Sequence, residues 1–262
     1  MRTIIRSQMY QLKKTKFAFV IYILFVLIVI LSTTSMLFAD KCKTAERFAL
    51  CNPDLMVSFG ILTIGLWVGY TAGMDFKDKV SNYEVMYGHS RLQVFMGRYI
   101  VGCLVAAVAG TTLVLATFIT GGVVKGFEGG PTLTHLWIRC ALTFFPYLRM
   151  AAFLICLTFI IRNPYIIMAL GYIMFMVYAV TSSLGALLSK SFFSSLTNLR
   201  ALMDCGGWSI YNLDPSKGIV PYDTFETQVG MGLVFGTIGS SIFMAGIYLL
   251  IGYLYFAKSD LD

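Results

Sequence analysis

From Phe17 to Phe38 the chain runs FAFVIYILFVLIVILSTTSMLF without one charged side chain. No other feature restricts the fold as strongly. As a helix, a run of this length crosses the ~30 Å hydrocarbon core of a bilayer. Similar runs follow at roughly Met56–Met74, Tyr99–Val123, Trp137–Ile161, Tyr165–Leu188 and Val229–Ala257. Only 13% of the residues are charged and 58% are hydrophobic, with a mean hydropathy of +0.77. A soluble domain carries about 25% charge. The runs are also too long, and alternate too weakly, for a membrane β-barrel. The expectation is an all-α membrane protein: one transmembrane domain over residues 1–262, with six transmembrane helices and no nucleotide-binding domain.

Orientation follows from the flanking charges. Arg2, Arg6, Lys13, Lys14 and Lys16 precede the first span with no acid among them, which predicts a cytoplasmic N-terminus. Six spans return the C-terminus to the same side, so both termini are expected in the cytoplasm of a plasma-membrane protein. The same parity places Asp75–Arg98 and the Arg162–Asn163–Pro164 turn inside. The basic start resembles a signal peptide, but the apolar run is about twice a typical h-region and no small-x-small site closes it. It is read as a retained span. The net charge of +7 therefore speaks to membrane orientation and anionic headgroups, with no nucleic-acid partner implied.

Several chemistries lack their residues. The chain has two histidines, His89 and His135, which parity puts on opposite sides, so no metal site is expected. There is no H-E-x-x-H, no G-x-S-x-G and no acid deep in a span, which argues against hydrolase and proton-relay roles. Without G-x-x-x-x-G-K-[ST] the chain cannot cradle ATP phosphates itself. No enzyme activity and no cofactor of its own are expected, so the energy for any work would come from elsewhere. Cys103, Cys140 and Cys156 fall in or beside apolar runs and read as packing residues. Cys42 and Cys51 share a loop expected outside. They form a possible external disulfide, with Cys205 a rival partner and free thiols the equal alternative.

One charge lies deep in a span: Arg149, in FFPYLRMAAF. It either snorkels and bonds carbonyls freed by Pro146, or lines a pathway and meets an anionic group. Small residues recur every fourth position at Gly102, Ala106 and Gly110, and at Gly232, Gly236 and Ser240. That spacing permits close helix packing, within one subunit or across a dimer.

The stretch DFKDKVSNYEVMYGHSRLQVFMGRY, Asp75 to Tyr99, interrupts the apolar pattern. Val80, Tyr83, Met86 and Tyr87 repeat at helical spacing, with Asp78, Lys79, Asn82 and Glu84 off that face. Gly88 breaks the run, and Ser90 is placed to cap a second helix carrying Leu92, Phe95, Met96 and Tyr99. Two amphipathic helices hinged at Gly88 are expected at the cytoplasmic surface, where such helices rest on headgroups.

These residues resemble the cytoplasmic segment of the ABC-transporter type-two permease family. Its pattern is E-Y-x-x-G-T-x-x-x-L-L-x-x-P-x-S-R followed by G-K. The chain keeps Asp75, Phe76, Ser90-Arg91 and a following Gly97-Arg98, and departs at Lys79-Val80, Glu84-Val85 and Gly88. The ending YFAKSDLD and the IRNPY turn are similar to that family's as well. The resemblance implies an exporter-type membrane subunit. It would pair with a second permease subunit, the same or homologous, and with a cytoplasmic ABC ATPase holding ATP and Mg. The ATPase-coupling helix between spans two and three would use Asp75, Asp78, Tyr83, Glu84, Met86, Tyr87 and Arg91. Tyr83, Met86 and Tyr87 would be its apolar knobs, Asp78 and Glu84 would meet basic residues at the rim, and Arg91 and Arg98 would anchor at headgroups. The implied cargo is hydrophobic or amphipathic: a bacteriocin or antimicrobial peptide, in export or immunity, then lipid or drug. The alternative is a non-transporting membrane anchor or sensor subunit that recruits a cytoplasmic partner.

Overall fold

The computed structural model describes residues 2–14, 16–39, 45, 53–77, 80–127, 131–184 and 230–258. Among them there is no strand. In chain order the helices are α1 (Arg2–Lys14), α2 (Lys16–Ala39), α3 (Pro53–Val68), α4 (Met74–Lys77), α5 (Val80–Met86), α6 (Arg91–Lys125), α7 (Pro131–Leu142), α8 (Phe144–Ile161), α9 (Pro164–Leu184) and α10 (Met231–Lys258). A π-helical turn, Gly69–Gly73, joins α3 to α4. Asp78, Cys42, Cys51 and Cys205 lie outside the described residues. Cys103, Cys140 and Cys156 are free and buried.

Among the described residues four stretches are long and apolar enough to cross a membrane: Lys16–Phe38, Arg91–Lys125, Leu133–Ile161 and Val234–Lys258. They coincide with the expected first, third, fourth and sixth spans. The expected second span is divided between α3, 16 residues long, and the π-helical turn that follows. The expected fifth lies on α9, with an apolar stretch over Pro164–Val177. Among the described residues, helix length and apolarity thus support four of the six expected spans.

The bundle is organised around α6. Its 35 residues give a rod of about 50 Å, longer than the hydrocarbon core is thick. Ser90 caps its first turn by accepting from the Gln93 N–H at 3.3 Å, the role expected of it. Helices α1, α2, α3, α8 and α10 all pack against α6. The Gly102, Ala106 and Gly110 stripe is absorbed within the chain. A Cβ at Gly102 would meet Ile155 at 2.8 Å, and one at Gly110 would meet the Tyr147 ring at 3.0 Å. On α10, Gly232 and Gly236 have nothing within 4 Å.

A second glycine series, Gly65, Gly69 and Gly73, seats α3 and the π-helical turn on α9. A Cβ at Gly65 would lie 2.6 Å from the Gly171 Cα, and one at Gly73 would lie 2.8 Å from the Pro164 Cα. Without side chains there, the backbones meet directly. In lipid, where apolar burial drives little association, such contact supplies much of the packing.

The α8–α9 turn is set locally. Arg162 adopts φ 56°, and its N–H closes α8 on the Thr158 carbonyl at 2.9 Å. Asn163 then caps α9, its Oδ1 accepting from the Tyr165 and Ile166 N–H groups. Pro164 stands first in α9, where its missing N–H costs nothing.

The basic N-terminal stretch, expected only to orient the first span, forms a helix of its own, α1. Ile4, Gln8 and Leu12 form one buried stripe at four-residue spacing, while Arg6, Lys13 and Lys14 are exposed. Gly97 accommodates this helix: a Cβ there would meet the Ile4 side chain at 2.7 Å.

Candidate functional site

The polar stretch between α3 and α6 is bound to the bundle at one buried cation. Arg98, on the second turn of α6, has a fully buried side chain. Its Nε donates to Asp75 Oδ2 at 2.9 Å and its Nη1 to Glu84 Oε2 at 2.6 Å. Gln8 of α1 donates to the same Asp75 oxygen. Helices α4, α5 and α6 therefore meet at one guanidinium, and α1 joins them through Asp75. Only the planar fork of arginine can address two carboxylates from different directions in this way. Its Nη2 is buried with no hydrogen-bond partner among the described residues.

Burial raises the Asp75 carboxyl above its ordinary value, against the lowering pull of Arg98 and the Gln8 bond; the Glu84 charge adds to the rise. A carboxylate that keeps one-sided ion pairing while losing most of its water behaves this way.

Asp75 and Phe76 anchor α4 in two directions. As Asp75 turns to Arg98, Phe76 packs edge-on to Phe159 at 5.1 Å and toward Phe256 at 6.5 Å. Phe95 joins the same cluster, 4.5 Å from Phe159 and 5.7 Å from Tyr253. This cluster ties α4, α6, α8 and α10 together at the end of the bundle that carries α1.

Helix α5 ends as the sequence indicated. Gly88 has φ 90°, its N–H bonds the Val85 carbonyl at 3.0 Å, and the His89 N–H bonds the Glu84 carbonyl at 3.2 Å. That pair of bonds is a Schellman motif, whose left-handed position favours glycine. Beyond Gly88 the second helix runs into the expected third span as the first turns of α6, but its apolar face is buried in the bundle where a surface position was expected. Phe95 is fully buried and Tyr99 nearly so, their apolar face covered by α8 and α10.

The remaining predicted site residues separate into two groups. Tyr83, Met86 and Tyr87 stand in the open, 58%, 81% and 86% exposed. They form an apolar cluster beside the Gly88 turn. Glu84 faces Arg98 within the chain, and Arg98 is a buried ion-pair partner, where anchoring at headgroups was expected. Arg91 Nη1 donates to the Ala257 carbonyl at 2.7 Å and so closes the C-terminal end of α10. A cation suits that helix end.

Arg149 is buried within α8 and hydrogen-bonded to Tyr248 of α10. Nearby, the Tyr99 hydroxyl donates to the Ala245 carbonyl. Arg149 thus sits at a helix–helix contact, apart from the Arg98 cluster. Among the described residues no group of three or more His, Cys, Asp or Glu is placed to hold a metal ion.

Sequence reasoning missed Gln8 and gave Arg98 the wrong surroundings. The available signal was the Ile4, Gln8, Leu12 spacing: a glutamine between two apolar residues on one helical stripe is a candidate for a buried polar partner. No family model, no curated protein and no solved structure matches the chain.

Proposed function

We propose that this chain is the membrane subunit of an ATP-driven ABC exporter, with six spans and both termini in the cytoplasm. A separate cytoplasmic ATPase would act on it, and a second permease subunit would complete the pathway. The observation that carries this reading is the contrast within α5 and the turn after it. Tyr83, Met86 and Tyr87 are exposed, while Glu84 between them is held by the buried Arg98. An apolar cluster that only rested on headgroups would need no ion pair to the longest membrane helix. A docking element that transmits force needs both an open face and a stiff attachment.

In this reading the three exposed side chains enter a groove of the ATPase. Displacement of α5 passes through Glu84 to α6, and through Phe76 to α8 and α10. The cargo is hydrophobic or amphipathic, because the spans are rich in Phe, Tyr and Met with few charges, and the family resemblance favours a peptide. The anchor-or-sensor reading uses the same open face to recruit a partner that drives no transport.

Co-purification with a Walker-motif ATPase encoded beside this chain tests the proposal, followed by vanadate-sensitive ATP hydrolysis and peptide movement in liposomes. A stable complex that hydrolyses ATP and moves cargo supports the exporter. A stable complex without cargo-dependent turnover favours the anchor. No complex with any nucleotide-binding subunit overturns the docking assignment.

A further inference from the structure

Helix α1 leaves a cleft of about 460 Å³ between itself and the segment that leads from α3 to α5. Asp75, Thr71 and Tyr70 line it from the bundle side, and Gln8, Tyr10 and Lys14 from α1. Three separate observations bear on what it holds. First, both hydrogen bonds to Asp75 fall on Oδ2; Oδ1 accepts none among the described residues. Among the described residues two carboxylates share one guanidinium here, which leaves a formal negative charge beside the inner end of the cleft. Second, the Lys14 ammonium lies 4.8 Å above the Tyr10 ring, which puts a positive charge and an aromatic face at the rim. Third, the wall containing Tyr70 and Thr71 is π-helical. Single π-turns inside α-helices occur frequently at functional sites.

An acid at the inner end and an ammonium at the rim complement a zwitterion whose cation enters first. We infer that the cleft binds a phosphoethanolamine group, with its ammonium on Asp75 and its phosphate on Lys14. A primary ammonium donates hydrogen bonds to a free carboxylate oxygen, and a quaternary one cannot. The group has two sources, a membrane phospholipid or the soluble compound. The surroundings suit a lipid. Helix α2 starts two residues beyond Lys14 and presents exposed Phe17, Val20 and Leu24, an apolar track for acyl chains. This inference stands apart from the transport reading, since it requires no ATPase.

The test uses the full chain, delipidated in detergent, and reads its thermal unfolding midpoint. It is titrated with short-chain phosphatidylethanolamine, phosphatidylcholine, phosphatidylglycerol and soluble phosphoethanolamine. A saturable rise with phosphatidylethanolamine, and none with the choline and glycerol lipids, is the expected result. A matching rise with soluble phosphoethanolamine assigns recognition to the headgroup alone; its absence assigns the lipid as ligand. Lys14→Ala and Tyr10→Ala alter exposed side chains and leave the fold intact. Lys14→Ala should weaken the apparent affinity about tenfold, the scale of one lost charge-assisted hydrogen bond. Asp75→Asn should abolish the preference for ethanolamine over choline. Equal shifts from all three lipids, or undiminished affinity in Lys14→Ala, overturn the inference.

Discussion

Arg98 and Glu84 meet at 2.6 Å, joining the first buried turns of α6 to a seven-residue helix whose Tyr83 and Met86 face outward. The pair sets where α5 can lie. A helix this short is not stable alone, so its position depends on this bond, the Schellman turn and the chain on either side.

Arg98→Ala should be the most damaging single change in this region. It leaves Asp75 and Glu84 near each other without their shared cation, and removing one partner of a buried pair costs about 3–5 kcal/mol. Thermal unfolding in detergent measures it. Arg98→Lys should recover only part of the loss, since an ammonium lacks the fork that reaches both carboxylates.

The raised Asp75 carboxyl gives a pH signature with a definite sign. A folded-state value above the unfolded one, about 3.9, means that the folded chain takes up this proton first as pH falls. The stabilisation linked to that proton is complete below the unfolded value and is lost as pH rises through the folded one. The unfolding midpoint of the wild type minus that of Asp75→Asn should therefore increase from neutral pH toward acid. A difference that shrinks instead would place the folded carboxyl below its ordinary value.

Two glycine substitutions should have opposite outcomes. Gly65→Ala drives a methyl group into the Gly171 backbone and should cost about 1–3 kcal/mol, as overpacking does. Gly236→Ala meets nothing within 4 Å and should stabilise α10 by about 0.5–1 kcal/mol, the backbone freedom removed from a helical glycine. Paired unfolding curves compare them directly.

Tyr83→Ala combined with Met86→Ala and Tyr87→Ala removes exposed groups only, so the unfolding midpoint should stay within the equivalent of about 0.5 kcal/mol per site. Binding of the proposed ATPase subunit should be lost. Glu84 must be left intact in this test, because changing it also breaks the attachment to Arg98. A complex that survives the triple change would remove the docking role from this face.

How far the sequence reached can be judged residue by residue. Gly88 as hinge, Ser90 as cap and the tight IRNPY turn were all readable, and each depends on backbone torsions or bonds within a few residues. Membrane character was equally plain, because hydropathy is a sum over neighbours. Arg98 was not readable. Its partners lie 23 and 14 residues away, and Gln8 is 67 residues from the Asp75 it supports. Local patterning cannot say which of several charges in a polar stretch will be buried together; that depends on which helices cross there. The same holds for Gly65 and Gly171, whose contact exists only once α3 and α9 are side by side. Composition and short-range geometry thus determined that the chain is helical, with stretches long and apolar enough to cross a membrane and a polar joint at Asp75–Tyr99. Only the packing of α1, α4 and α5 against α6 decided that the joint is locked from inside by Arg98, with Tyr83, Met86 and Tyr87 left open.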